Sequence, residues 1–227
     1  MLDKLMQLDQ QATLWLNGSD SLFWDGVATT ATATLTWVPM AIVLLYVIIR
    51  NNDLRNLGLI IVSMALCVLI ADQVASGICK PLFERYRPAQ DPVIMYLVDI
   101  VDGYRGGKYG FFSSHASNTF SLAVFVSLLI RLRALTAGLL SWALLNCWTR
   151  VYLGVHYVGD LLVGTIFGTL VGWVVYLIYK RVSKLEIDES HRPEIQTSTG
   201  YSPDDAYLLL SALLLTYIYV LIRAVSM

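Results

Sequence analysis

Residues 149–180 read TRVYLGVHYVGDLLVGTIFGTLVGWVVYLIYK, and two signals share the stretch. The apolar run at about 158–179 is long enough to cross a ~30 Å hydrocarbon core as a helix. Within it Gly164, Gly168 and Gly172 recur every four residues. Such a small-residue stripe predicts close contact with a neighbouring helix. Ahead of the run stand Arg150, His156 and Asp160, at the hinge with the apolar run before it. His156 and Asp160 are four residues apart, so a helix beginning here puts them on one face. A carboxylate beside an imidazole makes the ring a better nucleophile or base. A guanidinium six residues upstream suits a phosphate clamp.

The remainder of the chain fits a membrane scaffold. Of its 227 residues 56% are hydrophobic and only 15% charged, with a mean hydropathy of +0.60. That composition points to a single multi-span membrane domain over 1–227. A net charge of −1 argues against bulk nucleic-acid binding, which needs a strongly basic face. Cys67, Cys79 and Cys147 lie in apolar runs without CxxC spacing, so neither a disulfide framework nor a zinc site is expected. Residues 1–26 alternate apolar and polar side chains and lack the basic n-region of a signal peptide. They read as an interfacial segment of one or two short helices, with tryptophans at headgroup depth, or as a substrate gate.

Five further apolar runs join the one at 158–179. They lie at about 29–49, 57–79, 116–130, 135–148 and 206–225, and the expectation is an all-α integral membrane bundle of about six transmembrane helices. The runs at 116–130 and 135–148 are short unless polar flanking residues extend them, as happens where a helix end lines a wet site. Alternating the spans sorts Arg50, Arg55, Arg131, Arg133, Lys180, Arg181 and Lys184 onto one side, which the positive-inside rule makes cytoplasmic. The linker at 181–205 falls there too and reads as a mobile loop, its His191 solvated. The opposite side receives the N-terminal segment, the hinge and a polar loop at 80–112. This loop breaks the charge rule with Lys80, Arg85, Arg87, Arg105 and Lys108, cations placed to meet an anion.

Two more polar patches fall on that side. KPLFERYRP carries Lys80 and Arg87 at the end of the second run. Both can be read as snorkelling anchors or as phosphate ligands. FFSSHASN opens the third run with Ser113, Ser114 and His115. A serine capping this helix would leave its positive end facing an anion, and Asn118 is placed to orient the His115 ring. Ionisable groups from several span ends converging at one depth mark a site.

Lys80-x6-Arg87-Pro88, then Ser113-Ser114-His115, then Arg150-x5-His156-x3-Asp160, resembles the three-part signature of the type 2 phosphatidic acid phosphatase (PAP2) superfamily. The resemblance covers about 80–160. The family's second motif usually reads Pro-Ser-Gly-His, where this chain has Phe112 and Ser114 in place of Pro and Gly. Its third motif usually begins with Ser, and here it begins with Thr149.

The resemblance implies a membrane lipid phosphatase working without metal or cofactor. In it His156 attacks phosphorus, Asp160 orients the ring, and His115 serves as general acid and then base. Lys80, Arg87, Ser113, Ser114 and Arg150 would bind the phosphoryl oxygens. Polyprenyl diphosphate, lipid A phosphate, phosphatidylglycerol phosphate and phosphatidic acid are the candidate substrates, with a slight preference for the first. A lipid phosphotransferase using the same phosphohistidine stays open, as does a non-catalytic transporter or scaffold. The expected location is the bacterial inner membrane with the site facing the periplasm, and the oligomeric state is not legible. The Gly- and Tyr-rich segment 101–110 reads as a lid or as an ordered connector.

Overall fold

The computed structural model describes residues 2–188, 192 and 195–226, so His191 lies outside the described residues. Among the described residues the regular structure is helical. The helices are α1 (Leu2–Leu16), α2 (Leu22–Thr32), α3 (Val38–Asn51), α4 (Leu54–Asp72), α5 (Lys80–Phe83), α6 (Ser114–Ile130), α7 (Arg133–Tyr152), α8 (Val158–Ser183) and α9 (Pro203–Val225). One widened π turn, Gln73–Cys79, joins α4 to α5 without a break, giving a continuous apolar helix Leu54–Phe83. Thr34–Asn51, Leu54–Phe83, Val158–Ser183 and Pro203–Val225 are each long and apolar enough to cross a membrane. The shorter α6 and the less apolar α7 complete a six-helix bundle, as the sequence predicts. The outward faces of α4, α8 and α9 keep large apolar residues exposed, among them Ile61, Val62, Ile166, Trp173, Leu215 and Ile222. Hydrocarbon is the solvent such faces match.

The glycine stripe sets the tightest contact. A Cβ at Gly164 would lie 2.7 Å from the Ser113 carbonyl oxygen, and at Gly168 and Gly172 it would strike the backbones of Ser117 and Ser121. Helix α8 therefore lies directly on α6, with α4 beside both. Gly168→Ala should lower the melting temperature in detergent, since overpacking against backbone costs about 1–3 kcal/mol. Gly58 in α4 has nothing within 4 Å of an added Cβ. The same substitution there should stabilise by about 0.4–1 kcal/mol. Equal shifts at both positions would contradict the packing argument.

The first apolar run is not one helix. It breaks at Ala33, and residues 29–32 belong to α2. The Thr36 hydroxyl donates to the Thr30 carbonyl at 2.7 Å and the Trp37 indole N–H to that of Ala31 at 2.8 Å. These bonds satisfy terminal carbonyls of α2, and Pro39 sits at the start of the next helix, where its missing N–H is tolerated. One face of α2 packs into the bundle. Gly26, Val27, Ala28, Thr30 and Ala31 are buried, and a Cβ at Gly26 would meet Ala224 Cα of α9 at 2.8 Å. By contrast α1 exposes Leu5, Met6, Leu8 and Trp15.

The two ends of the bundle differ in charge. Arg50, Arg55, Arg131, Arg133, Lys180 and Arg181 gather at one end, where Arg55 Nη2 donates to the Val182 carbonyl at 3.2 Å. Part of the linker is pinned there. The Tyr201 hydroxyl accepts from Asn52 at 2.8 Å and the Thr199 hydroxyl donates to the Ile130 carbonyl at 3.2 Å. Buried Thr197 and Tyr201 anchor this segment, so a stretch that reads as a solvated loop is ordered over 195–202 by a large aromatic and its polar neighbours.

Candidate active site

Opposite this end, the α7–α8 hinge presents the histidine. Gly154 adopts φ +66, and a Cβ there would strike Val98, so only glycine fits the turn without strain. The chain then folds back, and the Val155 and His156 N–H groups both donate to the Arg150 carbonyl, at 3.1 and 3.2 Å. His156 and Asp160 are 1% and 0% exposed. His156 Nδ1 lies 3.4 Å from Asp160 Oδ2, which also accepts the Tyr157 N–H at 3.1 Å. An Nδ1–H donated to the carboxylate leaves Nε2 with its lone pair. That nitrogen faces Arg87 Nη1 at 3.5 Å.

The loop before α6 is fastened to this hinge. Tyr86 and Tyr109 form an antiparallel bridge, flanked by Arg87 N–H to Lys108 O at 3.1 Å and Gly110 N–H to Arg85 O at 2.8 Å. The Ala89 N–H donates to the Gly154 carbonyl at 3.0 Å. Arg87 is thereby fixed, its Nε donating to the Tyr109 carbonyl at 3.1 Å and Nη1 to that of Val155 at 3.3 Å. A Cβ on Gly110 would lie 3.1 Å from both Arg87 and Asp160. The segment thus covers the site at contact distance.

The α4–α5 and α6 ends supply the other groups. Lys80 Nζ donates to Ser76 Oγ at 2.9 Å and lies 3.4 Å from Ser114 Oγ. Ser113 is fully buried. It caps α6, accepting from the Ala116 N–H at 3.4 Å, while its own N–H donates to the Asp160 carbonyl at 3.2 Å. His115 is exposed at the head of α6, within electrostatic reach of Arg150, His156, Arg87 and Lys80. Asn118 does not hold that ring through its oxygen: Oδ1 is buried and has no hydrogen-bond partner.

Arg150 is the most informative side chain. It is 3% exposed, yet Nε and Nη2 meet no acceptor among the described residues. Tyr104 on the loop side is its one side-chain hydrogen-bond partner among the described residues, with the ring centroid 5.9 Å away. Buried polar groups are nearly always paired, and a desolvated cation without partners is costly. Two unmet donors on a buried guanidinium leave room for an anion. A groove of about 790 Å³ between α2, α3 and α9, lined by Thr29, Ala33, Leu35, Pro39, Leu215 and Tyr219 among others, has no imidazole or carboxylate on its walls.

Electrostatics keep the His156 ring neutral. Burial pushes the His156 ring down to about 4, with Arg87 and Arg150 adding to the effect and Asp160 opposing it. Protonation at Nε2 would remove the attacking lone pair. Activity governed by this ring should then persist as pH falls through 6.5, the ordinary histidine value, and be lost near pH 4. The dependence of kcat/KM on pH, corrected for substrate ionisation, reads this out. A His156 limb near 6.5 would contradict the assignment.

One contact with Asp160 lies outside the sequence-derived set. Arg85, within the six-residue spacer between Lys80 and Arg87, donates through Nη1 to Asp160 Oδ1 at 2.8 Å and through Nη2 to Asp9 Oδ2 at 2.7 Å. Its appearance among the loop cations that break the charge rule was the available signal.

Residues 56–184 match the PAP2 superfamily. The chain belongs to the PAP2 superfamily. It is a membrane lipid phosphatase of that superfamily and a bacterial membrane protein. Lipid A 4'-phosphatase of Bacteroides thetaiotaomicron is 40% identical over 190 residues, 83% of this chain and 84% of the relative. Lipid A 4'-phosphatase of Porphyromonas gingivalis is 36% identical over 178 residues, 78% of this chain and 75% of the relative. No solved structure matches the chain.

Proposed function

We propose that this PAP2 phosphatase removes a phosphate from lipid A, working on the periplasmic face of the inner membrane. The Arg150 guanidinium, buried near His156 with Nε and Nη2 unsatisfied, supports the assignment of the phosphate position. The names of the two relatives favour lipid A over polyprenyl diphosphate, the substrate the sequence leans toward. Lys80, Arg87 and Arg150 receive the phosphoryl oxygens, with the N-terminal end of α6 and Ser114 adding donors. These groups spread the charge of a phosphoryl-transfer transition state, a task of positioning and electrostatics.

His156 Nε2 attacks phosphorus in line. The nitrogen–phosphorus bond forms as the phosphorus–oxygen bond to the sugar breaks, and His115, protonated once the bound phosphate offsets the surrounding cations, gives its proton to the departing alkoxide. A water then passes a proton to His115 and attacks phosphorus, and the phosphate leaves His156. The site end lies opposite the Arg- and Lys-rich end, which the positive-inside rule assigns to the cytoplasm.

Phosphate release from lipid A, polyprenyl diphosphate, phosphatidylglycerol phosphate and phosphatidic acid, each in mixed micelles with the purified chain, tests the reading. Lipid A should give the highest kcat/KM. Preference for a diphosphate by tenfold or more would overturn the substrate assignment. Labelled phosphate appearing on an added acceptor lipid instead of in water would mark a phosphotransferase.

A further inference from the structure

The catalytic carboxylate is held from outside the hinge. Asp160 Oδ2 is taken by His156 and the Tyr157 N–H, and Oδ1 by Arg85. The Arg85 guanidinium lies over the Tyr157 ring, 4.1 Å from its centroid, and the Tyr157 hydroxyl donates to Asp91 Oδ2 at 2.6 Å. Arg85 therefore rests on a ring that is itself tethered. Its far side is tied to Asp9 of α1 at 2.7 Å. Asp9 does a second thing: Oδ1 accepts the Gly159 N–H at 2.8 Å. One turn along α1, the Thr13 hydroxyl accepts the Val158 N–H at 3.1 Å. These are first-turn donors of α8, which have no partner within their own helix. One face of α1 thus caps the helix that carries Asp160 and also holds the arginine that grips its carboxylate.

We infer that Asp9 and Arg85 are positioning residues, through which the N-terminal helix fixes the Asp160 carboxylate and, through it, the His156 ring. The inference rests on the reading of His156 as the nucleophile, and α1 lies outside the residues 56–184 that match the superfamily. Arg85 shares its charge between two carboxylates, and that sharing sets how strongly Asp160 draws a proton onto the ring. His156 is faced by Asp160 from α8, Arg150 from α7, His115 from α6 and Arg87 from the loop, and Lys80 acts on Asp160 and His115 from α5.

The two carboxylate partners have opposite signs of effect. Arg85→Met leaves Asp160 uncompensated, so the His156 titration point should rise, by about one unit for a nearby charge partner. Asp9→Asn keeps an oxygen for the Gly159 N–H but gives Arg85 wholly to Asp160, so the titration point should fall. Arg85→Lys restores the charge without the fork and should bring the value back toward wild type.

The experiment is a ring-carbon NMR titration of the full chain in detergent micelles with labelled histidine. There are three histidines, and the His156 signal is the one lost in His156→Ala. Alongside it, kcat and KM are measured on lipid A. Arg85→Met should lower kcat about 100-fold, the lower range of general acid–base effects, with KM within about threefold of wild type. Asp9→Asn should show no further loss in the Arg85→Met background, as expected for residues acting in one chain. His156 titration points that stay put in both variants, or move the same way, overturn the inference. So does a loss of kcat that tracks a fall in melting temperature and is not restored by Arg85→Lys. Opposite shifts in the two variants, with a wild type that releases no phosphate from any lipid, would uphold the positioning chain and sink the phosphatase reading instead.

Discussion

His156→Ala should reduce phosphate release from lipid A to background, a loss on the order of 10⁴ or more, as expected when a covalent catalyst is removed. The affinity for lipid phosphate should be nearly unchanged, because Lys80, Arg87 and Arg150 stay in place. The fold should survive. Asp160 retains the Tyr157 N–H at 3.1 Å and Arg85 at 2.8 Å, so no carboxylate is left bare, and the deleted ring costs only a few kcal/mol. Pulse-labelling with phosphorylated substrate followed by acid- and base-stability analysis distinguishes the role further. Wild type should trap an acid-labile, base-stable phosphoryl group that His156→Ala does not. Near-wild-type release by the variant would remove the nucleophile assignment.

Arg150→Met carries the second large effect, with two opposite signs. Turnover should fall on the order of 10³, the scale for losing a charged group that stabilises a phosphoryl-transfer transition state. Thermal stability without phosphate should rise. The wild-type guanidinium is buried with Nε and Nη2 unsatisfied, and replacing a buried ionic group by an apolar one of similar size stabilises by about 1–4 kcal/mol in favourable cases. Adding vanadate or inorganic phosphate should raise the wild-type melting temperature and leave the variant nearly unmoved, because only the former gains from binding. A variant less stable than wild type in phosphate-free buffer would mean that the guanidinium is already partnered, and the argument from its isolation would fail.

Those two residues were accessible to a sequence reader because their chemistry is local. Arg150, His156 and Asp160 lie on one short hinge, where His156 precedes α8 and the Asp160 carboxylate, turned back onto the Tyr157 N–H, meets the ring. The glycine stripe was equally legible, since a period of four on a helix has one structural reading. Lys80, Arg87, Ser113, Ser114 and His115 needed the alternation of the spans, which puts three span ends at one face, and the family signature, which gives each a role. Two features escaped. The break at Ala33 is hidden within a run whose threonines suit a membrane helix, and it is decided by Thr36 and Trp37 reaching back to carbonyls of α2. The Asp9–Arg85–Asp160 chain is hidden by distance along the sequence. Its middle member becomes a partner for both carboxylates only after the Tyr86–Tyr109 bridge has folded the loop.

The widened turn at Gln73–Cys79 sets which way Lys80 faces. Helical side chains advance by about 100° per residue, and a π turn spreads the same rotation over roughly one residue more. Drawing the segment into regular α-helix at its present length would therefore swing the ammonium group about a quarter-circle off its bearing on Ser114. Losing one residue while the turn tightens would leave that bearing nearly where it is. For this enzyme the width of the turn and the number of residues in it are set together.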